Sequence, residues 1–244
     1  MVMEVMEIKK RPVRRPEGEE GLLGGDGGMM VVTDLRQQVK DKTRISIYVN
    51  GRFSFGLTLA QVADLGLRKG LQLDVEKIEE LKGESEYGKM RAVAVMYCCS
   101  RERSIKELRD YMRRRVQKKE LPDKFVDRIL RELMEKEIVS DARFAKLWAE
   151  SRKSRSGISK KKLDLELMRK GVDRNLIAKT LDEVFGEGGE RDEKEELIKV
   201  LAKKGRKYMG DRRKLTEYLF RQGFRFDTIR EVLDEQGIAH QSRF

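Results

Sequence analysis

This 244-residue chain is poor in the residues that build most catalytic and metal centres: it has one histidine, two cysteines, three prolines and one tryptophan. The histidine, His240, falls in a polar C-terminal tail, which excludes histidine-based triads and histidine-ligated metal ions. The cysteines, Cys98 and Cys99, are adjacent. Neighbours on a helix point in different directions, and no second pair is there to complete a zinc site, so a reduced, cytoplasmic protein is the simplest reading. No stretch approaches the roughly 18 apolar residues that span a bilayer. The opening MVMEVMEIKKRPVRRPEGEE lacks the continuous apolar core of a secretory signal. The glycine-containing GLRKGLQLD (66–74) is too short for a phosphate-binding loop and has no Ser/Thr to hold magnesium. The acidic residues form no isolated pair in an apolar setting. The chain is therefore not expected to be an enzyme, and no metal or cofactor is expected.

Charge is abundant: 40% of residues are Asp, Glu, Lys or Arg, and the formal net charge is +12. It is unevenly placed. Residues 1–30 sum to −1, residues 31–84 to +1 and residues 85–244 to +12. A strongly basic segment favours a polyanion such as nucleic acid, or an acidic protein groove; a solubilising surface is the competing reading.

Residues 1–34, with RPVRRPEGEEG and GGDGG, are too polar and glycine-rich to offset their ordering entropy and are expected to be a flexible leader. Residues 35–84 form a small α/β module. Ile45, Ile47 and Val49 alternate on one strand face, Asn50-Gly51 suits the positive φ angles of a tight turn, and Phe53, Phe55 and Leu57 line the returning strand. A helix around Thr58–Leu65, a short strand at Leu71 and Leu73, and a helix over 74–82 complete it.

From Glu86 onward the period is helical. Phe144, Leu147, Trp148 and Ser151 share one face. Leu163 and Leu167 mark the next helix, and Leu176, Ile177, Leu181 and Val184 the one after. Ser140, Ser159 and Asp173 suit N-caps, and Gly171 a left-handed helix stop. The pattern recurs 52 residues later, Gly171 matching Gly223 and Leu163, Leu167, Ile177 and Leu181 matching Leu215, Leu219, Ile229 and Leu233, with Asp211 as the cap. An earlier copy opens with a Ser104…Glu107 capping box followed by Leu108 and Met112. It carries extra residues, RVQKKE, where the other copies have glycine. Residues 86–139, 140–186 and 190–236 are thus read as three tandem three-helix units, with 237–244 as a tail. The fold class is mainly α: an elongated array of three-helix repeats behind a hairpin-containing module, the kind of scaffold that binds along an extended face.

Over SRERSIKEL (100–108), SDARFAKLWAESR (140–152) and GISKKKLDLELMRKGV (157–172) the chain resembles the RecX family, regulators of the RecA recombinase. The residues that carry the likeness are Arg103, Ser104, Glu107 and Leu108 in the first repeat. In the second they are Asp141, Arg143, Phe144, Ala145, Ser151, Arg152, Gly157, Glu166, Leu167, Lys170 and Gly171. The likeness runs over about 42–236, and the hairpin module is similar to an N-terminal extension of some members. Two departures stand out: the first repeat lacks the Lys-Gly stop, and Lys160 stands where many members have proline. The resemblance implies a cytoplasmic modulator of recombination and DNA repair. It would bind the RecA–single-stranded DNA filament and inhibit its ATPase, strand-exchange and coprotease activities. A monomer is expected, with single-stranded DNA as the nucleic-acid partner and double-stranded DNA as a further candidate.

The residues themselves suggest where a polyanion would lie. The 52-residue offset pairs Arg152 with Lys204, Arg155 with Lys207, and Lys160, Lys161 and Lys162 with Arg212, Arg213 and Lys214. In a regular stack these positions would form a cationic stripe facing phosphates or an acidic recombinase surface; solvated helix ends are the alternative. Arg113, Arg114 and Arg115, with Lys118 and Lys119, would make a separate patch. Trp148 invites base stacking, but its spacing from Phe144 argues for the core. Arg143 and Arg152 either pair with nearby glutamates or face a partner. A helix-turn-helix DNA reader is the competing function, although helices opening SKKK and DRRK suit phosphates better than base edges.

Overall fold

The computed structural model describes residues 29–39, 41–186, 189–204 and 211–238. Most of the expected leader, Lys207 and His240 lie outside the described residues. The chain divides into two compact units between Gly83 and Glu84.

The first unit is a four-stranded antiparallel sheet, β1 (Met30–Gln37), β2 (Arg44–Val49), β3 (Arg52–Thr58) and β4 (Gln72–Leu73), in the order β3-β2-β1-β4. Asn50 and Gly51 turn the hairpin at φ 48° and 79°, the left-handed pair that matches strand twist. Two expectations fail here. The strand β1 starts inside the supposed leader: Val32 pairs with Val49 and is fully buried. A strand's stability comes from the neighbours it meets across the sheet, and those are invisible in a glycine-rich local window. Phe53 does not follow Phe55 and Leu57 into the core. A bulge between Ile47 and Tyr48 shifts the register, leaving Phe53 58% exposed and edge-on to Tyr48, because an extra residue breaks the two-residue alternation. Helix α1 (Leu59–Asp64) carries a full capping box between Thr58 and Gln61. Helix α2 (Val75–Cys99) runs without interruption through the expected break near residue 84. It gives Ile78 and Leu81 to the core under the sheet and Tyr87, Met90 and Ala94 to the first helical core.

The second unit is helical: α3 (Ile105–Lys118), α4 (Lys124–Glu135), α5 (Asp141–Ser156), α6 (Lys160–Arg169), α7 (Arg174–Phe185), α8 (Gly189–Lys204), α9 (Arg212–Arg221) and α10 (Phe226–Glu235). Three separate apolar cores group them as α2–α4, α5–α7 and α8–α10. The second helix of each triplet, α3, α6 or α9, buries its fourth and eighth residues: Leu108 and Met112, Leu163 and Leu167, Leu215 and Leu219. Each such side chain contributes about 1.5–3 kcal/mol. Ser104, Ser159 and Asp211 cap these helices, each accepting from the backbone N–H three residues on. The reciprocal half of the Ser104 capping box is absent. Glu107 turns instead to Arg101 and Lys170, because a partner from the next triplet is within reach.

Successive triplets meet at several places, one of which recurs: the start of one second helix against the end of the next. At the first junction the Lys106 ammonium donates to the Arg169 carbonyl at 3.1 Å, and Lys170 pairs with Glu107 at 2.5 Å. At the second, Ser159 Oγ donates to the Gln222 carbonyl at 2.7 Å and Lys162 to the Gln222 side chain. The glycines that end α6 and α9 have φ 81° and 91°, and each lies against the opening turn of the preceding triplet's second helix. This explains the missing stop in the first repeat. No earlier triplet precedes α3, so no close approach is needed, and the aligned residue is the fully buried Val116.

Candidate nucleic-acid interface

Counted from their caps, the second helices reveal which cations recur for packing and which recur on the surface. The first position carries Lys160 and Arg212. Lys160 pairs with Asp182 at 2.8 Å and Arg212 with Asp234 at 2.6 Å, the same bond made to the third helix of each triplet. Arg212 is only 8% exposed and also donates to the Ile238 carbonyl, so its role is to tie α9 to the end of α10. The first helical residue is also where proline fits without losing a hydrogen bond, which accounts for the Lys160 departure. The third position holds Lys162, half-buried on Gln222, and Lys214, which folds back on its own cap Asp211 at 3.0 Å.

The second position points outward in all three triplets: Lys106, Lys161 and Arg213 are exposed. So does the tenth, occupied by Arg114, Arg169 and Arg221. Among the described residues, Lys161, Arg114, Arg169 and Arg221 have no carboxylate within 4.0 Å, and the Arg213–Glu217 pair is between exposed groups. Because the helices meet end to end, each junction sets a second-position lysine against the last turn that carries a tenth-position arginine: Lys106 donates to the Arg169 carbonyl, and Lys161 lies against Gly223, two residues past Arg221. The 52-residue comparison missed Lys106, Arg169 and Arg221 since it aligned only two copies and began from lysine runs. Counting from Ser104, Ser159 and Asp211 would have found them.

The remaining predicted positions scatter. Arg155 is exposed near the end of α5, and its carbonyl accepts from Lys203. Lys204 ends α8. Arg113, Arg114 and Arg115 are exposed at the end of α3, with Arg115 over the Tyr111 ring. Arg152 is committed to Glu166. Burial acts to raise the Glu166 carboxyl, but the hydrogen bonds from Arg152 and Trp148 more than offset it and hold it below its ordinary value. Trp148 is half-buried, stacked on Phe144, with its indole N–H donating to Glu166 at 3.2 Å; it belongs to the core. Arg143 pairs with Glu102 at 2.7 Å and donates to the Glu137 and Ile138 carbonyls, which locks the second triplet to the first. Asp141 accepts the Ile105 N–H at 2.8 Å, and burial raises its carboxyl.

Comparison with known proteins is consistent along the chain. Residues 30–74 match the domain described as the regulatory protein RecX N-terminal domain, and residues 140–181 the RecX second three-helix domain. The chain belongs to the RecX family of regulatory proteins. The regulatory protein RecX of Clostridium acetobutylicum is 26% identical over 209 residues, 84% of this chain and 95% of that protein. That of Listeria monocytogenes serotype 4b is 28% identical over 172 residues, which is 70% of this chain but only 62% of its relative. A crystal structure of a regulatory protein RecX has the same fold, with a TM-score of 0.66 at 19% identity, over 84% of this chain and 99% of that one. The RecX of Lactobacillus salivarius gives 0.50 at 20% identity, covering 63% and 97%. Among the described residues no helix is long and apolar enough to cross a membrane.

Proposed function

We propose that this RecX-family chain is a non-enzymatic regulator of homologous recombination and DNA repair. In this reading it works in the cytoplasm as a monomer, binds the RecA–single-stranded DNA filament and inhibits the filament's ATPase, strand-exchange and coprotease activities. Family membership supports the regulatory role. The observation that carries the binding reading is the set of exposed cations at the second and tenth positions of the second helices of three successive triplets. A polymer of phosphates, or a polymeric protein target with an acidic flank, meets such a set at several points at once, and its affinity falls steeply with salt.

The test is a titration of this protein into a RecA ATPase assay on single-stranded DNA. Suppressed hydrolysis at stoichiometries below one per recombinase supports the reading. Unchanged hydrolysis at saturating protein, with no co-sedimentation on filaments, refutes it. A three-helix, helix-turn-helix-like DNA reader is the second reading, favoured by the exposed second helices. It predicts a strong preference for one duplex sequence over random duplex in a gel-shift competition, which a phosphate-directed cation set would not produce.

A further inference from the structure

The ninth position of each second helix carries Arg113, Met168 and Phe220 in turn. Met168 is 39% and Phe220 61% exposed, and Leu165 on α6 is 43% exposed, whereas Leu163, Leu167, Leu215 and Leu219 are packed away. Their places are not arbitrary. The Gly171 N–H donates to the Met168 carbonyl at 2.9 Å and the Gly223 N–H to that of Phe220 at 2.8 Å, so each apolar residue adjoins its junction glycine. A Cβ added at Gly171 would stand 2.7 Å from Lys106 Cβ, and one at Gly223 would stand 3.3 Å from Lys161 Cβ. Each junction therefore draws on the same three exposed residues: an apolar one, the arginine that follows it, and the second-position lysine of the preceding triplet, which lies against the end of the helix that carries the other two. The sets are Met168, Arg169 and Lys106 at the first junction and Phe220, Arg221 and Lys161 at the second. On α3, which has no preceding triplet to meet, the ninth residue is Arg113. The apolar residue occurs only where a junction exists.

We propose that each junction is a subsite for one nucleotide of a single strand, with the base on Met168 or Phe220 and its phosphate between the flanking lysine and arginine. Among the described residues Arg169, Arg221 and Lys161 have no carboxylate within 4.0 Å, so a phosphate arriving at a junction meets cations not already neutralised. A flat π-system is the natural cover for an exposed aromatic ring flanked by cations. Duplex DNA presents the phosphates but keeps its bases stacked inside, so the apolar residue selects an unpaired strand. This assignment deepens the nucleic-acid part of the proposed function and rests on it. It differs from a plain cationic surface in requiring a base.

The experiment is fluorescence anisotropy of the full-length chain, without recombinase, on oligo-dT and on an abasic strand of equal length and charge. The native chain should bind oligo-dT more tightly than the abasic strand. Phe220→Ala should weaken oligo-dT binding by roughly tenfold, the scale of one lost base–aromatic stack, and leave abasic binding unchanged. Met168→Phe should tighten oligo-dT alone. Lys161→Glu should weaken both strands, whereas Lys146→Glu, an exposed α5 cation outside the set, should affect neither. Phe220 is exposed, and an unchanged thermal melt confirms that its variant folds. Equal native affinity for the two strands, or equal losses on both with Phe220→Ala, overturns the subsites. The ATPase assay then separates the two ideas: Phe220→Ala that inhibits normally but has lost no strand affinity sinks the subsites and leaves the regulator standing.

Discussion

Replacing Gly171 by alanine probes the idea that triplets join through glycine-ended second helices. Two costs arise, and a control separates them. The first is conformational: Gly171 sits at φ 81°, where an L side chain costs roughly 1–2 kcal/mol. Gly237, at φ 66° with nothing within 4 Å of an added Cβ, carries that cost alone. The second cost is steric. The new methyl would stand 2.7 Å from Lys106 Cβ and 2.8 Å from its Cδ. A Cβ cannot swing aside as a side-chain tip does, so α6 must move off α3 or both must distort, at roughly 1–3 kcal/mol. Gly171→Ala should then cost about 2–5 kcal/mol and Gly237→Ala about 1–2. Gly223→Ala should fall between them, because its nearest obstacle is the Ser159 hydroxyl at 2.7 Å and the Lys161 Cβ is farther, at 3.3 Å. Urea unfolding followed by far-ultraviolet circular dichroism gives the three values. A kcal/mol corresponds to about 2–4 °C in Tm for a chain of this size, so thermal scans should rank the variants identically. Equal losses at Gly171 and Gly237 would refute the junction argument, because only the positive φ would then matter.

Other consequences are separable from this one. Arg212→Ala should destabilise the third triplet by about 1.5–3 kcal/mol, the worth of charged hydrogen bonds to a nearly buried guanidinium, while Lys160→Ala, whose pair is exposed, should cost under about 1 kcal/mol; comparable losses would contradict the different burial of the two pairs. Joint reversal of Lys161 and Arg213 to glutamate should weaken filament binding about tenfold and lower the slope of log affinity against log salt by about 1.4, two single-strand phosphates' worth, and an unchanged slope would remove both residues from the interface. Burial acts to raise the Glu132 carboxyl, but hydrogen bonds from Lys136, Arg91 and Tyr87 outweigh it and draw it from 4.5 down to about 2. A depressed carboxyl contributes stability that is present above its ordinary value and lost as pH falls toward 2, so Glu132→Gln should flatten the acid limb of the stability curve in that window, and an unaltered limb would count against the network.

Much of the architecture could be read from local pattern. Helix periodicity, the caps at Ser140, Ser159, Asp173 and Asp211 and the left-handed Gly171 all depend on interactions within a few residues, which composition and spacing record directly. The hairpin over β2 and β3 was legible for the same reason. Strand β1 was not, because Val32 is held by Val49 in another strand, and no local window contains both. The unbroken α2 escaped because its two halves are buried in different cores, and Gly83, a plausible stop, costs a helix only about 1 kcal/mol, which flanking packing overrides.

The binding surface divides along the same line. Sequence alone determined that the C-terminal three-helix repeats carry the excess positive charge and that lysine and arginine recur at the starts of their second helices. It could not determine which of those cations are spent on packing, since Asp182 and Asp234 reach Lys160 and Arg212 only after a third helix folds back. Nor could it show that the start of one second helix meets the end of the next, because that contact joins residues about 60 positions apart, Lys106 and Arg169 or Ser159 and Gln222. Charge and period belong to the chain, whereas adjacency belongs to the stack, and it is adjacency that sets Lys161 against Gly223, three residues past Phe220.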